Sequence, residues 1–134
     1  MKNKAVRIII AGTRDFDDYE LLKFKVDRII EKEFKDCNIS IISGTSKGAD
    51  QLGESYAHTK GYHLFKFPAE WDKYGRKAGP LRNEKMAKFA SGELINNECV
   101  GVLIAFWDGK SRGTKNMIEN AHKYNLKVFT IIYK

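Results

Sequence analysis

Two short segments carry the residue types that hold anions. Ser43-Gly44-Thr45-Ser46-Lys47-Gly48-Ala49-Asp50 and Trp107-Asp108-Gly109-Lys110-Ser111-Arg112-Gly113-Thr114 each leave an apolar run and open onto a helical pattern. Ser-Lys-Gly in the first stands where Ser-Arg-Gly stands in the second. At such a turn the backbone N–H groups of the first helical residues have no partner, and the helix dipole favours negative charge. Gly44 and Gly48 would admit a ligand close to the backbone, and Lys47 would add a point charge. An ordinary strand-to-helix turn with a solvated lysine explains either loop alone. The recurrence of one device in one chain favours anion binding. No longer repeat links the two loops, so they read as similar solutions rather than a duplication.

Other polar residues join them. Gly12-Thr13-Arg14-Asp15 leaves the first apolar run, and Arg82-Asn83-Glu84 crowds the start of a later helix. The expected arrangement puts one phosphate on Lys47 and the N–H groups of residues 44–48. A second group lies on Ser111-Arg112-Gly113-Thr114, with Arg14 or Arg82 closing over the ligand. Trp107 and Asp108 are read as contacts to base or ribose, with a core role the equal alternative for Trp107. Pairing with Glu84 is the alternative for Arg82, and helix capping the alternative for Asp50. Between Pro68 and Gly79, Trp71 and Tyr74 stand among Lys73, Arg76 and Lys77. Those rings can stack a base or pack on the domain's own edge. No metal site is expected: Cys37 and Cys99 lack CxxC spacing, and His58, His63 and His122 are scattered. Neither G-x-G-x-x-G nor G-x-x-x-x-G-K-[ST] occurs, so the standard dinucleotide and Walker readings are unsupported.

The elements that must position these residues alternate. Nearly continuous apolar runs at Ala5–Ala11, 39–43 and 100–106 predict parallel strands covered on both faces. Tyr62–Phe67 and Val128–Tyr133 predict two more, the former nearer an edge. Asp17, three residues before Glu20, is read as a capping box for a helix carrying Leu22, Val26, Ile29, Ile30 and Phe34. A helix from about Ala49 to Lys60 stops at Gly61. Another begins near Pro80, with Met86, Phe89 and Ala90 inward, and the last spans Thr114 to Tyr124 with Asn125 as a left-handed cap. Residues 68–79 and 91–98 are read as connections. Five strands and four helices in one domain, residues 1–134, give an α/β three-layer sandwich. Ligands of such sheets sit at the strands' carboxyl ends, where all four polar segments fall.

Composition describes a folded globular domain with a bias toward anionic partners, without saying which. Of the 134 residues 43% are hydrophobic and 31% charged, with a net charge of +7. That charge attracts nucleotides and, weakly and nonspecifically, nucleic acid. No apolar run reaches the roughly 20 residues that cross a bilayer, and the start reads as a strand rather than a signal peptide. A cytoplasmic protein without membrane partners is the expectation.

Taken together, Gly12-Thr13-Arg14-Asp15, Ser43 to Asp50, Gly79-Pro80-Leu81-Arg82-Asn83-Glu84-Lys85-Met86 and Phe106 to Thr114 resemble the small YspA-type members of the SLOG superfamily. The resemblance implies a Rossmann-like five-stranded parallel sheet of order 3-2-1-4-5, a nucleotide or nucleotide-derived ligand, and a homodimer. The segment from Ser43 to Asp50 and the Arg82-Asn83 pair are similar to the single-strand-binding DNA-processing proteins. Gly113-Thr114 is similar instead to the Gly-Thr-x-x-Glu signature of the Lonely Guy phosphoribohydrolases. Their glutamate is Met117 here, which disfavours N-glycosidic hydrolysis and leaves Glu84 and Asp108 as weak candidates for a catalytic carboxylate.

Overall fold

The computed structural model describes residues 4–92 and 99–134. Strands β1 (Ala5–Gly12), β2 (Asn38–Ser43), β3 (His63–Lys66), β4 (Cys99–Trp107) and β5 (Lys127–Ile132) form one parallel sheet of order β3-β2-β1-β4-β5. It is a Rossmann-like α/β fold. In β1, Ile8, Ile9 and Ile10 are all fully buried. Strand residues alternate faces, so a fully buried triplet requires cover on both sides. Ile8 and Ile10 pack with Leu22 and Val26 of α1 (Tyr19–Glu33) and with Ala49, Tyr56 and Ala57 of α2 (Ala49–Lys60). Ile9 and Ala11 face the other way. They meet Met86, Ala87 and Ala90 of α4 (Ala78–Ser91) and Met117 and Ala121 of α5 (Arg112–Lys123).

Local chemistry sets the boundaries. Arg7, the one charge in β1, donates to the Phe89 carbonyl at 2.6 Å and lies 4.0 Å from the Phe89 ring centroid, so its polar head is satisfied at the sheet's edge of burial. Gly61 closes α2 in the left-handed conformation, and Asn125 (φ 61°) turns the chain after α5. The cap of α1 differs from expectation by one residue. Asp18, not Asp17, accepts the Leu21 N–H at 3.0 Å, which puts Glu20 at the second helical position and removes the capping box.

The segment expected to be an irregular loop at 68–79 is partly helical. Trp71–Tyr74 forms the single turn α3, Gly75–Lys77 a 3-10 turn, and α4 begins at Ala78 rather than Pro80. There are thus five helices rather than four among the described residues. Pro80 is tolerated because the first-turn N–H groups have no helical acceptor anyway. Ser91, read as connection, is the last residue of α4, and the remainder of that reading, 93–98, lies outside the described residues. No helix among the described residues is long and apolar enough to cross a membrane.

Candidate functional site

The strand order reverses between β1 and β4, and a cleft opens at their carboxyl ends. Its main lobe, about 290 Å³, is floored by Ala11 and Gly12, with the first turn of α5 on one side and Trp71, Gly79, Arg82 and Asn83 on the other. A second lobe of about 390 Å³ lies toward β2, lined by Gly44, Thr45, Lys47 and Gln51. Arg14, Ser46, Trp71 and Arg82 border both lobes. All four sequence motifs contribute residues to the lining of the main lobe.

The two glycine loops are built differently. In the loop after β2, the Thr45 N–H donates to Ser43 Oγ at 3.0 Å and the Ser46 N–H to Asp50 Oδ2 at 3.1 Å. Two of the donors expected to cradle a phosphate on residues 44–48 are therefore taken, one of them by a carboxylate that would repel an anion. The glycines there answer to the protein. A Cβ on Gly44 would stand 2.8 Å from Arg82 Nη1 and from Asp50 Oδ2. Gly48 has φ +84°, and its Cβ would meet the Thr13 and Arg14 carbonyl oxygens. Lys47 is exposed and reaches only the second lobe.

At the start of α5 the donors are open. Ser111 caps the helix, accepting the Thr114 N–H at 3.4 Å. The N–H groups of Arg112 and Gly113 precede any helical acceptor and have no partner among the described residues. Asp108 shapes this turn: one carboxylate oxygen accepts the Lys110 and Ser111 N–H groups at 2.8 Å each, which holds its carboxyl below the usual range. The Asp108 N–H donates to Thr13 Oγ1, tying the turn to the end of β1. Apart from its chain neighbours and its own helix backbone, no described atom stands within 4 Å of where a Cβ on Gly113 would be.

A relay on α4 connects the two loops. Arg82 Nη1 donates to the Gly44 carbonyl and its Nε to Asn83 Oδ1. Asn83 Nδ2 then donates to the Gly113 carbonyl at 3.4 Å and to Asn116 Oδ1 at 2.9 Å. Burial weakens the proton affinity of Arg82, partly opposed by the Asp50 carboxylate. Burial likewise pushes Asp50 up to about 6, against the Ser46 N–H and the charges of Arg82 and Arg14.

Of the residues expected at the site, Gly12, Arg14, Asp50, Arg82, Asn83, Ser111, Arg112, Gly113 and Thr114 line the main lobe. Ser43 and Thr13 are buried braces: Ser43 Oγ donates to Glu54 at 2.7 Å, and Thr13 binds Phe106 and Asp108. Trp107 lies outside the cleft lining, its indole N–H bonded to the Ser111 carbonyl. Trp71 is instead the indole on the cleft wall, 48% exposed. Asp108 braces its own turn, and Glu84 turns away to Tyr124 Oη and Lys123 Nζ, not to Arg82. Neither is placed to act on a ligand in the main lobe. Met86 and Asn116 also line it, without having been expected at the site, together with Ser46, expected there only through its N–H, and Met117, expected only as the replacement of the family glutamate. A signal existed for Asn116, since asparagines at 83, 116 and 120 are poor helix formers inside helices.

The sequence profile of the YspA, cpYpsA-related SLOG family matches residues 6–74, from β1 through α3. The chain belongs to this SLOG family. The SLOG match includes the first loop and Trp71, whereas the α4 relay and the α5 turn lie beyond it. Over 128 residues the chain is 25% identical to the Gene 61 protein of Mycobacterium phage D29, covering 91% of this chain and 93% of that protein. No solved structure matches significantly.

Proposed function

We propose that the main lobe binds a nucleotide or nucleotide-derived ligand, its phosphate on the Arg112 and Gly113 N–H groups. The observation that carries this reading is the gathering of Arg14, Arg82 and Arg112 around an open helix N-terminus in a single cleft. Gly79 and Gly113 support it. Both line the cleft at ordinary φ, and no protein atom comes nearer than 3.4 Å to a Cβ at either. Among the described residues no contact from outside their own helices requires glycine there, whereas a ligand approaching the backbone closely would. Trp71 offers the base a flat apolar face. SLOG membership agrees with a nucleotide-related role.

A thermal-shift panel of nucleoside mono-, di- and cyclic phosphates, NAD and ADP-ribose tests the reading. At a hundredfold its Kd a ligand adds about 2.7 kcal/mol, a readily measured shift. Arg112→Ala should weaken the response more than Lys47→Ala, which alters only the second lobe. A flat panel refutes the proposal. Single-stranded oligonucleotide bound at low salt should be released by about 0.15 M salt, as expected of a basic surface. Retention of micromolar affinity there would favour a DNA-processing role instead.

A further inference from the structure

Asp50 is the one carboxylate lining the main lobe among the described residues. It is 95% buried, yet only Oδ2 has a donor, the Ser46 N–H. Oδ1 makes no hydrogen bond to any described residue. Around the carboxylate stand Arg82 from α4, Arg14 from the turn after β1, and Glu54 on its own helix. The arginines are near enough to act through their charge but form no ion pair with it. Oδ1 is not among the buried unpartnered atoms, so it is open to the cleft and free to accept a donor from a ligand there.

Phosphates offer Asp50 only negative charge. The donors of a nucleotide are its ribose hydroxyls and the edge of its base. The base has its place against Trp71, and the phosphate its place at α5. Asp50 begins the helix after β2, two strands from β4 and roughly 10 Å across the sheet. The sugar spans that interval between phosphate and base. We propose that Asp50 accepts hydrogen bonds from the ribose hydroxyls, so that the cleft takes ribonucleotides and discriminates against their deoxyribose counterparts. This rests on the nucleotide reading of the same cleft. A carboxylate held protonated near pH 6 by its surroundings is one whose charge the fold disfavours, in keeping with a group kept for its ligand.

The experiment compares Kd values of wild-type protein for the four ribonucleoside 5′-monophosphates and their 2′-deoxy and 3′-deoxy analogues at pH 8. At least one ribonucleotide should bind, and at least one of its two deoxy forms should bind tenfold or more weakly. In Asp50→Asn the ratio should shrink to about threefold or less. Should that variant not fold, the same ratio is measured on wild-type protein at pH 5, where it should also shrink. The ligand phosphate's own titration cancels in the comparison. Ribo and deoxy forms bound equally by wild-type protein would overturn the inference while leaving nucleotide binding intact. A ratio unchanged both in a folded Asp50→Asn and at pH 5 would overturn the role of Asp50. Failure of every nucleotide to bind would remove the nucleotide reading and this inference together.

Discussion

Replacing Gly113 by alanine separates what the protein needs from what its ligand needs. Gly113 is the second residue of α5, has no positive φ, and faces open space where a methyl would go. Alanine there restricts the unfolded chain and should stabilise the fold by about 0.4–1 kcal/mol. For a chain of this length that is about 1–5 °C in Tm. The same methyl projects into the lobe where the phosphate is proposed to meet the backbone, and should weaken nucleotide binding at least tenfold, about 1.4 kcal/mol. Gly48→Ala is the control of opposite sign. Its φ of +84° costs an alanine about 1–2 kcal/mol, and the methyl would also lie 2.5 Å from the Arg14 carbonyl oxygen. Differential scanning fluorimetry with and without nucleotide reads both effects. A Gly113→Ala protein that is less stable than wild type, or that binds nucleotide with unchanged Kd, would refute the reasoning.

The Asp50 carboxyl, lifted by burial from its usual 3.8 to about 6, binds a proton in the folded state that the unfolded chain has already released. Its contribution is therefore complete below about pH 4 and is lost as pH rises through 6, by at most about 3 kcal/mol. Chemical denaturation of Asp50→Asn against wild type should show the variant gaining relative stability across that window; a constant difference from pH 4 to 8 would contradict it. Arg82→Ala removes charged hydrogen bonds to Gly44 and Asn83 and should cost about 2–4 kcal/mol in urea unfolding. Arg82→Lys should recover little, because one ammonium cannot reproduce the guanidinium fork. Glu84→Gln, by contrast, should leave the nucleotide-induced shift unaltered, since among the described residues its carboxylate hydrogen-bonds Lys123 and Tyr124 and lies outside the cleft lining.

Much of the sheet was legible because strands buried on both faces are written as unbroken Val, Ile and Ala, and β1, β2 and β4 are the central three. The strand order came from the family resemblance, not from periodicity. The 68–79 segment hid its two short turns because neither is long enough to show a helical period. Asp18 was masked by its neighbour, since two adjacent aspartates offer equivalent caps and only the chain's entry angle chooses. At the site, residue type predicted position well where backbone lines the cleft, as at Gly113. It predicted poorly where a polar side chain can serve either the protein or the ligand. Ser43, Thr13 and Asp108 have the chemistry of ligand contacts but brace loops, and only the partner across the sheet distinguishes the two uses. Trp107 and Trp71 each had two readings for the same reason, an indole being equally suited to a strand end and a cleft wall, and the structure puts Trp71 on the cleft and Trp107 outside its lining.

The consecutive pair Arg82-Asn83 has a mechanical consequence. One side chain grips the carbonyl of Gly44, the next grips that of Gly113, and both ride on a single helix packed against the sheet. α4 thus acts as a gauge block, fixing the gap between the two jaws before anything enters. A ligand of the proposed kind would meet loops already held in place and spend little of its affinity on ordering them. A ligand of the proposed kind that is too long for this gap could not enter without breaking the Arg82 and Asn83 contacts to both loops, so α4 would set an upper limit on ligand length.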